Sequence, residues 1–123
     1  MTSVTLPETV TVIGSYAFYE CKSLQKVVIP GGAILRDSAF EYCDSLSEVT
    51  LRPDVTYIPA WCFAYCDSLA KVNIPASVTG ISSSAFNGCI NLSVVNYGGT
   101  KDEWDEIKNG AFGLLVIVNY NVQ

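Results

Sequence analysis

The five cysteines are the residues of this sequence with the greatest potential for chemistry. Cys62 stands apart from a regular series of four, which comprises Cys21, Cys43, Cys66 and Cys89. A metal site needs ligands that converge on one point, whereas regular recurrence predicts a ladder with rungs about 5 Å apart along a stack of repeats. We therefore expect five buried free thiols that pack as small apolar groups, with no metal and no cofactor. A stray disulfide or metal site is the alternative.

The chain has no histidine. Histidine is the commonest general base and the commonest transition-metal ligand, so this chain alone cannot build a Ser-His-Asp or Cys-His site. The densest run of carboxylates is expected to face water on a short helix rather than to form an acid–base pair in a cleft. It consists of Asp102, Glu103, Asp105 and Glu106. The sequence therefore predicts a protein that is not an enzyme.

Composition restricts the class of partner. The 123 residues are 50% apolar and 15% charged, which is typical of one packed domain and not of a disordered chain. The net charge of −5 argues against a nucleic-acid partner, because phosphate binding needs clustered Lys and Arg. No apolar stretch reaches the length of a membrane span. Residues 1–10 lack the basic start and apolar run of a secretory leader.

A repeat runs through the chain. Ala-Phe, or Cys-Phe in one copy, recurs at spacings of 22, 23, 23 and 26 residues, the copies beginning at Ala17, Ala39, Cys62, Ala85 and Ala111. Apolar residues two positions apart, such as Val27 and Ile29, predict a short strand with one buried face. A following proline ends strand pairing. The pattern Ala-Phe-x-x-Cys predicts one turn of α or 3₁₀ helix with an inward face.

Stacking of these units predicts an α/β repeat solenoid. We expect a right-handed stack of about five repeats of 22–26 residues, with short parallel strands on one face and short helical turns on the other. A single domain is expected over residues 1–123. Its regular repeats span 1–97, and a C-terminal capping repeat, a helix and then a strand, spans 98–123.

The capping repeat is predicted from local signals. Thr100 with Glu103 three residues later is a capping-box pattern at the start of a helix. The apolar face of this helix is expected to comprise Trp104, Ile107 and Ala111. Asn109 and Gly110 form a plausible helix stop, and the last strand is expected within residues 116–120.

These motifs carry a resemblance to a known family. Leu-x-x-Val-x-Ile-Pro, a loop and Ile-x-x-x-Ala-Phe-x-x-Cys-x-Ser-Leu resemble the BspA-like class of leucine-rich repeats, over nearly the whole chain and in four copies. The segment 97–107 also resembles the usual C-terminal ending of that family. The resemblance implies a non-enzymatic protein-interaction module of a bacterial cell-surface or secreted protein of the adhesion type. Structural spacer repeats without a ligand of their own are the alternative.

The N-terminal end differs from the capped C-terminal end. Residues 1–7 already have the pattern of a strand, with no capping element before them. The chain is therefore expected to be the C-terminal part of a longer array, or a protein with an unprotected edge. An exposed strand edge favours pairing with another chain, so self-association through this edge is a further expectation.

The outward positions of the strands are the predicted binding surface for a protein partner. If the Val-x-Ile pairs face the core, the outward residues are Lys26, Val28, Glu48, Thr50, Lys71, Asn73, Val94 and Asn96. Arg52 extends this face. Repeat proteins commonly bind partners on such extended surfaces. The alternative is a face that is merely solvated.

Aromatic residues suggest a second patch. Trp61 and Tyr65 are predicted to contribute to binding and to cluster with Tyr57 on the outer side of the third repeat. Tyr42 precedes its cysteine as Tyr65 does. Exposed aromatic side chains with a polar group suit interfaces. The alternative is that these rings pack over the loops and shield the core.

Overall fold

The computed structural model describes residues 3–113 and 115–122, and its strands follow the apolar pairs of the repeat. In chain order the elements are β1 (Ser3–Thr5), β2 (Val12–Ile13), β3 (Lys26–Ile29), β4 (Ile34–Leu35), β5 (Glu48–Leu51), β6 (Tyr57–Ile58), β7 (Lys71–Ile74), β8 (Gly80–Ile81), β9 (Val94–Tyr97), α1 (Lys101–Ile107) and β10 (Ile117–Asn119). Six strands form the main sheet, in the order β1-β3-β5-β7-β9-β10. The short strands pair as β2-β4 and β6-β8.

The main sheet stacks the repeats in parallel register. Val27 of β3 pairs with Val49 of β5, and that register continues through Val72 of β7 to Val95 of β9. None of these four side chains is more than 2% exposed, because alternate residues of a strand point to the same face. The chain is a parallel-strand β-solenoid of about five turns, and the predicted stack of parallel strands is confirmed.

The segments that precede the main strands differ from the prediction. The sequence predicted a turn of α or 3₁₀ helix at each Ala-Phe-x-x-Cys, but these segments are runs of consecutive turns. Within residues 3–113 and 115–122, α1 is the one helix. The predicted helical turns are therefore wrong, and helix enters the fold only through α1.

Left-handed backbone positions explain the difference. Positive φ angles of 56° to 63° occur in these segments at Tyr16, Glu20, Ser38, Tyr42, Trp61 and Tyr65. A left-handed residue interrupts a right-handed helix, and alternate backbone amides of the segment then donate to the next repeat. Phe40 N donates to Cys62 O at 2.8 Å, and Tyr42 N donates to Ala64 O at 2.9 Å. The turn segments therefore form a second hydrogen-bonded ladder beside the main sheet.

A stack of phenylalanine rings joins the two ladders through the core. The ring centroids of Phe18 and Phe40 are 4.8 Å apart, those of Phe40 and Phe63 are 5.3 Å apart, and those of Phe63 and Phe86 are 5.4 Å apart. Phe86 continues the stack to Phe112 at 4.9 Å. Each repeat thus buries a large apolar group against its neighbours, which a single repeat could not do.

The C-terminal helix begins with the predicted capping box. Glu103 N donates to Thr100 Oγ1 at 3.2 Å, and Thr100 N donates to Glu103 Oε1 at 2.9 Å. Trp104 is 3% exposed and packs against Tyr97, with ring centroids 5.0 Å apart. The predicted stop is confirmed by positive φ angles at Asn109 and Gly110.

After the start of α1, the capping repeat differs from the prediction at Ala111 and agrees with it at the last strand. Ala111 lies beyond the end of α1, so the predicted helical face is reduced to Trp104 and Ile107, which are both buried. The last strand is β10, inside the expected range of residues 116–120. In the described part of the chain no helix has the length and apolarity that crossing a bilayer requires.

Candidate functional site

The outward residues of the main strands form two parallel rows. The charged row holds Lys26, Glu48, Lys71 and Val94, which are paired in register across β3, β5, β7 and β9. Glu48 is flanked by both lysines, with its carboxylate oxygens 3.8 Å from Lys26 Nζ and 3.8 Å from Lys71 Nζ. The two lysine side chains are largely solvated and Glu48 is half-buried, so the ion pairs are weak and can be exchanged for contacts with a partner.

The second row, here called the amide row, comprises Val28, Thr50, Asn73, Asn96 and Asn119. Asn119 Nδ2 donates to Asn96 Oδ1 at 2.9 Å, and Asn96 Nδ2 donates to Asn73 Oδ1 at 2.9 Å. Asn73 Nδ2 in turn donates to Thr50 Oγ1 at 2.9 Å and to Glu48 Oε2 at 3.0 Å. The bonds hold successive amides in one orientation, so a ligand need not immobilise them itself.

A shallow groove of about 640 Å³ runs along the amide row, at the carboxyl ends of the strands. Thr50, Asn73 and Asn96 contribute its polar lining. The loops after the strands contribute apolar and small side chains, which include Pro53, Pro75, Ala76 and Val122. Arg52 also lines the groove, and its Nε lies 3.7 Å from Glu8 Oε1. The groove therefore offers hydrogen-bonding groups, apolar contact and one cation to a ligand.

The structure divides the predicted binding residues between two surfaces. The strand residues Lys26, Val28, Glu48, Thr50, Lys71 and Asn73 lie together on the main sheet, as do Val94 and Asn96. Trp61 and Tyr65 lie on the turn segment of the third repeat and not on this sheet. Sequence reasoning missed Asn119. The signal for it was the pattern Ile117-x-Asn119, which repeats the pattern Val94-x-Asn96 one turn earlier.

The aromatic residues form a longer group than the sequence predicted. The ring centroids of Trp61 and Tyr65 are 6.3 Å apart, and Tyr65 stacks on Tyr42 at 4.9 Å. Tyr42 meets Tyr19 edge to face at 5.7 Å, and Tyr19 meets Tyr16 at 5.3 Å. We call these five residues the aromatic strip.

Tyr57, the third predicted member of the cluster, is placed elsewhere. It lies on β6 and covers Gly80, where an added Cβ would be 2.9 Å from Tyr57 Cδ1. Among the described residues, the aromatic contacts that build the strip do not include Tyr57. Tyr16 and Tyr19 take part instead; Tyr16 holds in its repeat the position of Trp61, whereas Tyr19 has no aromatic counterpart in the other repeats.

The cysteines are free thiols, but they are not all buried. Cys43, Cys62 and Cys66 are buried, whereas Cys21 and Cys89 are half-buried, which corrects the expectation of five buried thiols. The Sγ atoms of Cys43, Cys66 and Cys89 each donate to a backbone carbonyl of the preceding repeat; that of Cys66, for example, donates to Phe40 O at 3.2 Å. Residues 3–113 and 115–122 contain no group of three or more His, Cys, Asp or Glu side chains that could hold a metal ion.

The environment of Cys62 and Cys66 disfavours nucleophilic chemistry at these two thiols. Burial raises the pKa of Cys62 far above the ordinary value. The neighbouring thiols of Cys43 and Cys89, together with burial, raise the pKa of Cys66. Because the thiolate is the nucleophile, a raised pKa leaves both groups unreactive at neutral pH.

Asp105, in the acidic run on α1, is engaged in two ion pairs on the helix surface. Asp105 accepts hydrogen bonds from Lys101 Nζ and Lys108 Nζ, each at 2.9 Å. The hydrogen bonds from these two lysines lower the pKa of the Asp105 carboxyl. This arrangement stabilises a charged carboxylate in solvent and does not create the opposed environments of an acid–base pair.

Residues 1–114 match a family described as the BspA type leucine rich repeat region, in six copies. Similar solved structures include a leucine rich cell surface protein from Faecalibacterium prausnitzii, with 27% identity and a TM-score of 0.69 over 93% of this chain and 36% of that one. A leucine-rich repeat protein from Bacteroides ovatus has 27% identity and a TM-score of 0.79 over 100% of this chain and 30% of that one.

A third similar structure is the pneumococcal vaccine antigen PcpA, with 13% identity and a TM-score of 0.70 over 96% of this chain and 29% of that one. At this identity the likeness shows the fold alone. The chain therefore spans about a third of the length of these three proteins. No curated protein matches the chain.

Proposed function

The chain belongs to the BspA-type leucine-rich repeat family, and from that premise we propose that it is a non-enzymatic protein-interaction module that binds its partner on the strand face. The amide row is the observation that carries the proposal. Three asparagine side chains and Thr50 are linked by hydrogen bonds of 2.9 Å, and Thr50, Asn73 and Asn96 of this row line a groove. A surface that is already ordered loses little conformational entropy when a partner binds.

The chemistry of this face suits a protein partner. Side-chain amides and hydroxyls offer donors and acceptors side by side, as a polypeptide backbone also does. The adjoining prolines, Ala76 and Val122 supply the apolar contact that an interface core needs. The net charge of −5 disfavours a nucleic-acid partner, since phosphate groups would be repelled.

The proposal includes a location at the bacterial surface or outside the cell, in a protein of the adhesion type. It is supported by the similar protein from Faecalibacterium prausnitzii, which is described as a cell surface protein. Because the chain spans about a third of that protein's length, the location concerns the whole protein of which this solenoid would be the binding part. Fractionation of the producing bacterium with an antibody against the solenoid tests it, and recovery in the cytosol alone would contradict it.

The binding face is tested with a matched pair of triple variants. Lys26→Ser, Glu48→Ser and Lys71→Ser together remove the two ion pairs of the charged row. The control triple, Lys101→Ser, Asp105→Ser and Lys108→Ser, removes two ion pairs of the same type and the same net charge from α1. We expect the strand-face triple to weaken binding of a purified, verified partner by about tenfold or more, and the α1 triple to leave it within about twofold.

Isothermal titration calorimetry gives the two dissociation constants, and thermal unfolding verifies that both triples fold. Equal affinity of the strand-face triple and the wild-type protein would reject this face. Failure of any surface protein to bind the wild-type chain directly would instead favour spacer repeats.

We also propose self-association through β1. Among the described strands, β1 pairs with β3 alone, so its other edge presents backbone groups that a strand of a second copy can pair with. Sedimentation should show a mass that rises with concentration, and Thr5→Lys on this edge should abolish the rise. A wild-type protein that stays monomeric at millimolar concentration would contradict the proposal.

A further inference from the structure

The aromatic strip lies on the turn segments, away from the strand face, and its rings are accessible. Tyr16 is 61% exposed and Trp61 is 39% exposed, while Tyr19 and Tyr42 are also exposed. The five rings are in continuous contact across three repeats, from Tyr16 to Trp61. An exposed group of this kind is a feature that a merely structural turn does not require.

The backbone holds these rings in place. Tyr16, Tyr42, Trp61 and Tyr65 all have left-handed φ angles between 56° and 63°. The amides of Tyr42 and Tyr65 donate to carbonyls of the next repeat, at 2.9 Å and 2.7 Å. Gly88 leaves space for the ring of Tyr65, because a Cβ there would be 2.4 Å from Tyr65 Cδ1. The backbone that carries Tyr42 and Tyr65 is therefore held in place before any ligand arrives.

Two carboxylates accompany the rings. Glu20 follows Tyr19 and Glu41 precedes Tyr42, and Glu20 N donates to Glu41 O at 3.0 Å, so the two residues are neighbours on adjacent repeats. Desolvation and the neighbouring charges of Glu20 and Glu41 raise the pKa of the Tyr19 phenol.

The carboxylate of Glu41 is available to a ligand. Glu41 is half-buried, and among residues 3–113 and 115–122 no Lys or Arg nitrogen lies within 4.0 Å of the carboxylate of Glu41 or of Glu20. Lys22 lies in the same repeat as Glu20, but its Nζ forms an ion pair with Asp44 Oδ2 at 3.0 Å. The negative charge of Glu41 is therefore not neutralised within the described structure.

We propose that the aromatic strip binds an arginine side chain of an extended, basic segment of a partner protein. The guanidinium plane would lie against the exposed rings, while its N–H groups would donate to the carboxylate of Glu41. Arginine fits better than lysine because its planar group stacks on aromatic rings and binds carboxylates with two parallel hydrogen bonds. The net charge of −5 would attract such a segment over a longer distance.

The proposal goes beyond the strand-face function, because it concerns a different surface and a ligand of defined charge. A neutral oligosaccharide could also stack on exposed rings, but it would not need the carboxylate of Glu41. An anionic lipid surface would be repelled by Glu20 and Glu41. Binding of either of these two ligands in place of the basic segment would be an outcome of the test that contradicts the proposal.

The test uses two fluorescein-labelled peptides of alternating arginine and glycine, or citrulline and glycine. Citrulline keeps the shape of arginine and removes its charge. Fluorescence anisotropy with the full chain should show that the arginine peptide binds at least about tenfold more tightly. Its affinity should fall as salt is added, because part of the attraction is between exposed charges.

Variants locate the site. Glu41→Gln removes the carboxylate without changing its shape, and Tyr42→Asn removes one ring while keeping a residue that tolerates a left-handed backbone. Each should weaken the arginine peptide about fivefold or more. Glu106→Gln, on the exposed side of α1, makes the same change of net charge and should leave the affinity within about twofold.

The outcomes separate the alternatives. Equal binding of the arginine and citrulline peptides, or equal weakening by Glu41→Gln and Glu106→Gln, would overturn the proposal. Binding of a neutral oligosaccharide that survives Glu41→Gln, with no binding of the arginine peptide, would also overturn it. If Tyr42→Asn lowers the unfolding temperature, the affinity of the isosteric Glu41→Gln variant for the arginine peptide decides whether the proposal holds. None of these results depends on the charged row, so the strand-face proposal stands or falls separately.

Discussion

Cys62 occupies a position where the other four repeats have alanine, at residues 17, 39, 85 and 111. It is fully buried, and burial raises the pKa of its thiol. An alanine is therefore a natural replacement that removes a titrating group without adding bulk. The comparison of the two residues isolates the electrostatic consequence of burying a thiol in this core.

We predict that Cys62→Ala reduces the loss of stability at alkaline pH. In the unfolded chain the thiol loses its proton near pH 8.5, whereas in the folded chain the raised pKa keeps the proton bound. Rising pH therefore favours unfolding above that value, by about 1.4 kcal/mol for each pH unit and each such thiol. Urea unfolding from pH 7 to 10.5 should show the stability of the wild-type protein falling relative to that of Cys62→Ala above about pH 8.5. Parallel curves would contradict this account.

At the residue scale, the sequence predicted the structural role of the cysteines better than it predicted the solvent exposure of their side chains. The regular spacing of Cys43 and Cys66 predicted free thiols in a packed ladder, as the structure shows. Cys21 and Cys89 belong to the same series but are half-buried. Periodicity gives the side of the repeat to which a residue belongs, but not how completely the neighbouring repeat covers it.

The turn segments are the elements that sequence reasoning described incorrectly. Apolar residues at i, i+1 and i+4 are compatible with a helical turn, and intrinsic preferences do not place Tyr42 or Trp61 in a left-handed conformation. The inter-repeat hydrogen bonds favour that conformation, and they exist only after the repeats have stacked. Gly88 was the one local signal, since it holds in the fourth repeat the position of Tyr65 in the third, with a φ of 75°.

Gly88→Ala should be strongly destabilising for this reason. The new Cβ would be 2.4 Å from Tyr65 Cδ1, and its residue would have to keep a φ of 75°. We expect a loss of about 2 kcal/mol or more in the free energy of unfolding, from the left-handed backbone and the displaced ring.

Gly32→Ala is the matched control, because no atom lies within 4 Å of its added Cβ. The free energy of unfolding of this variant should stay within about 0.5 kcal/mol of the wild-type value. Urea titrations of the two variants measure the difference. If Gly88→Ala were as stable as Gly32→Ala, the close packing of Tyr65 on this backbone would be refuted.

At the scale of the whole molecule, the alternation of each strand fixed both the core and the opposite face. Val27 and its counterparts had to be inside, so Lys26 and Val28 had to be outside, and the sequence predicted this face correctly. The groove could not be predicted in the same way. Its wall includes Val122, which the C-terminal segment brings to Ala76 and Gly98, and no local pattern encodes that approach.

The aromatic strip had the same limitation in the sequence. Tyr19 and Tyr42 occupy different positions of their repeats, and their rings meet edge to face across two adjacent repeats at 5.7 Å. The repeat pattern places Tyr16 at the position of Trp61 and Tyr42 at the position of Tyr65, but it does not show that Tyr19 links them. Contacts between unlike positions depend on the three-dimensional stacking and not on the repeat pattern.

The proposal that the strand face binds a protein is tested most directly by nuclear magnetic resonance on this chain of 13.3 kDa. A purified, verified partner would be titrated while the side-chain amide signals of Asn73, Asn96 and Asn119 are followed. We predict that these signals shift or broaden first, together with the backbone amides of β5, β7 and β9. Changes confined to α1 or to the turn segments, with the asparagine signals unmoved at saturation, would contradict binding on the strand face.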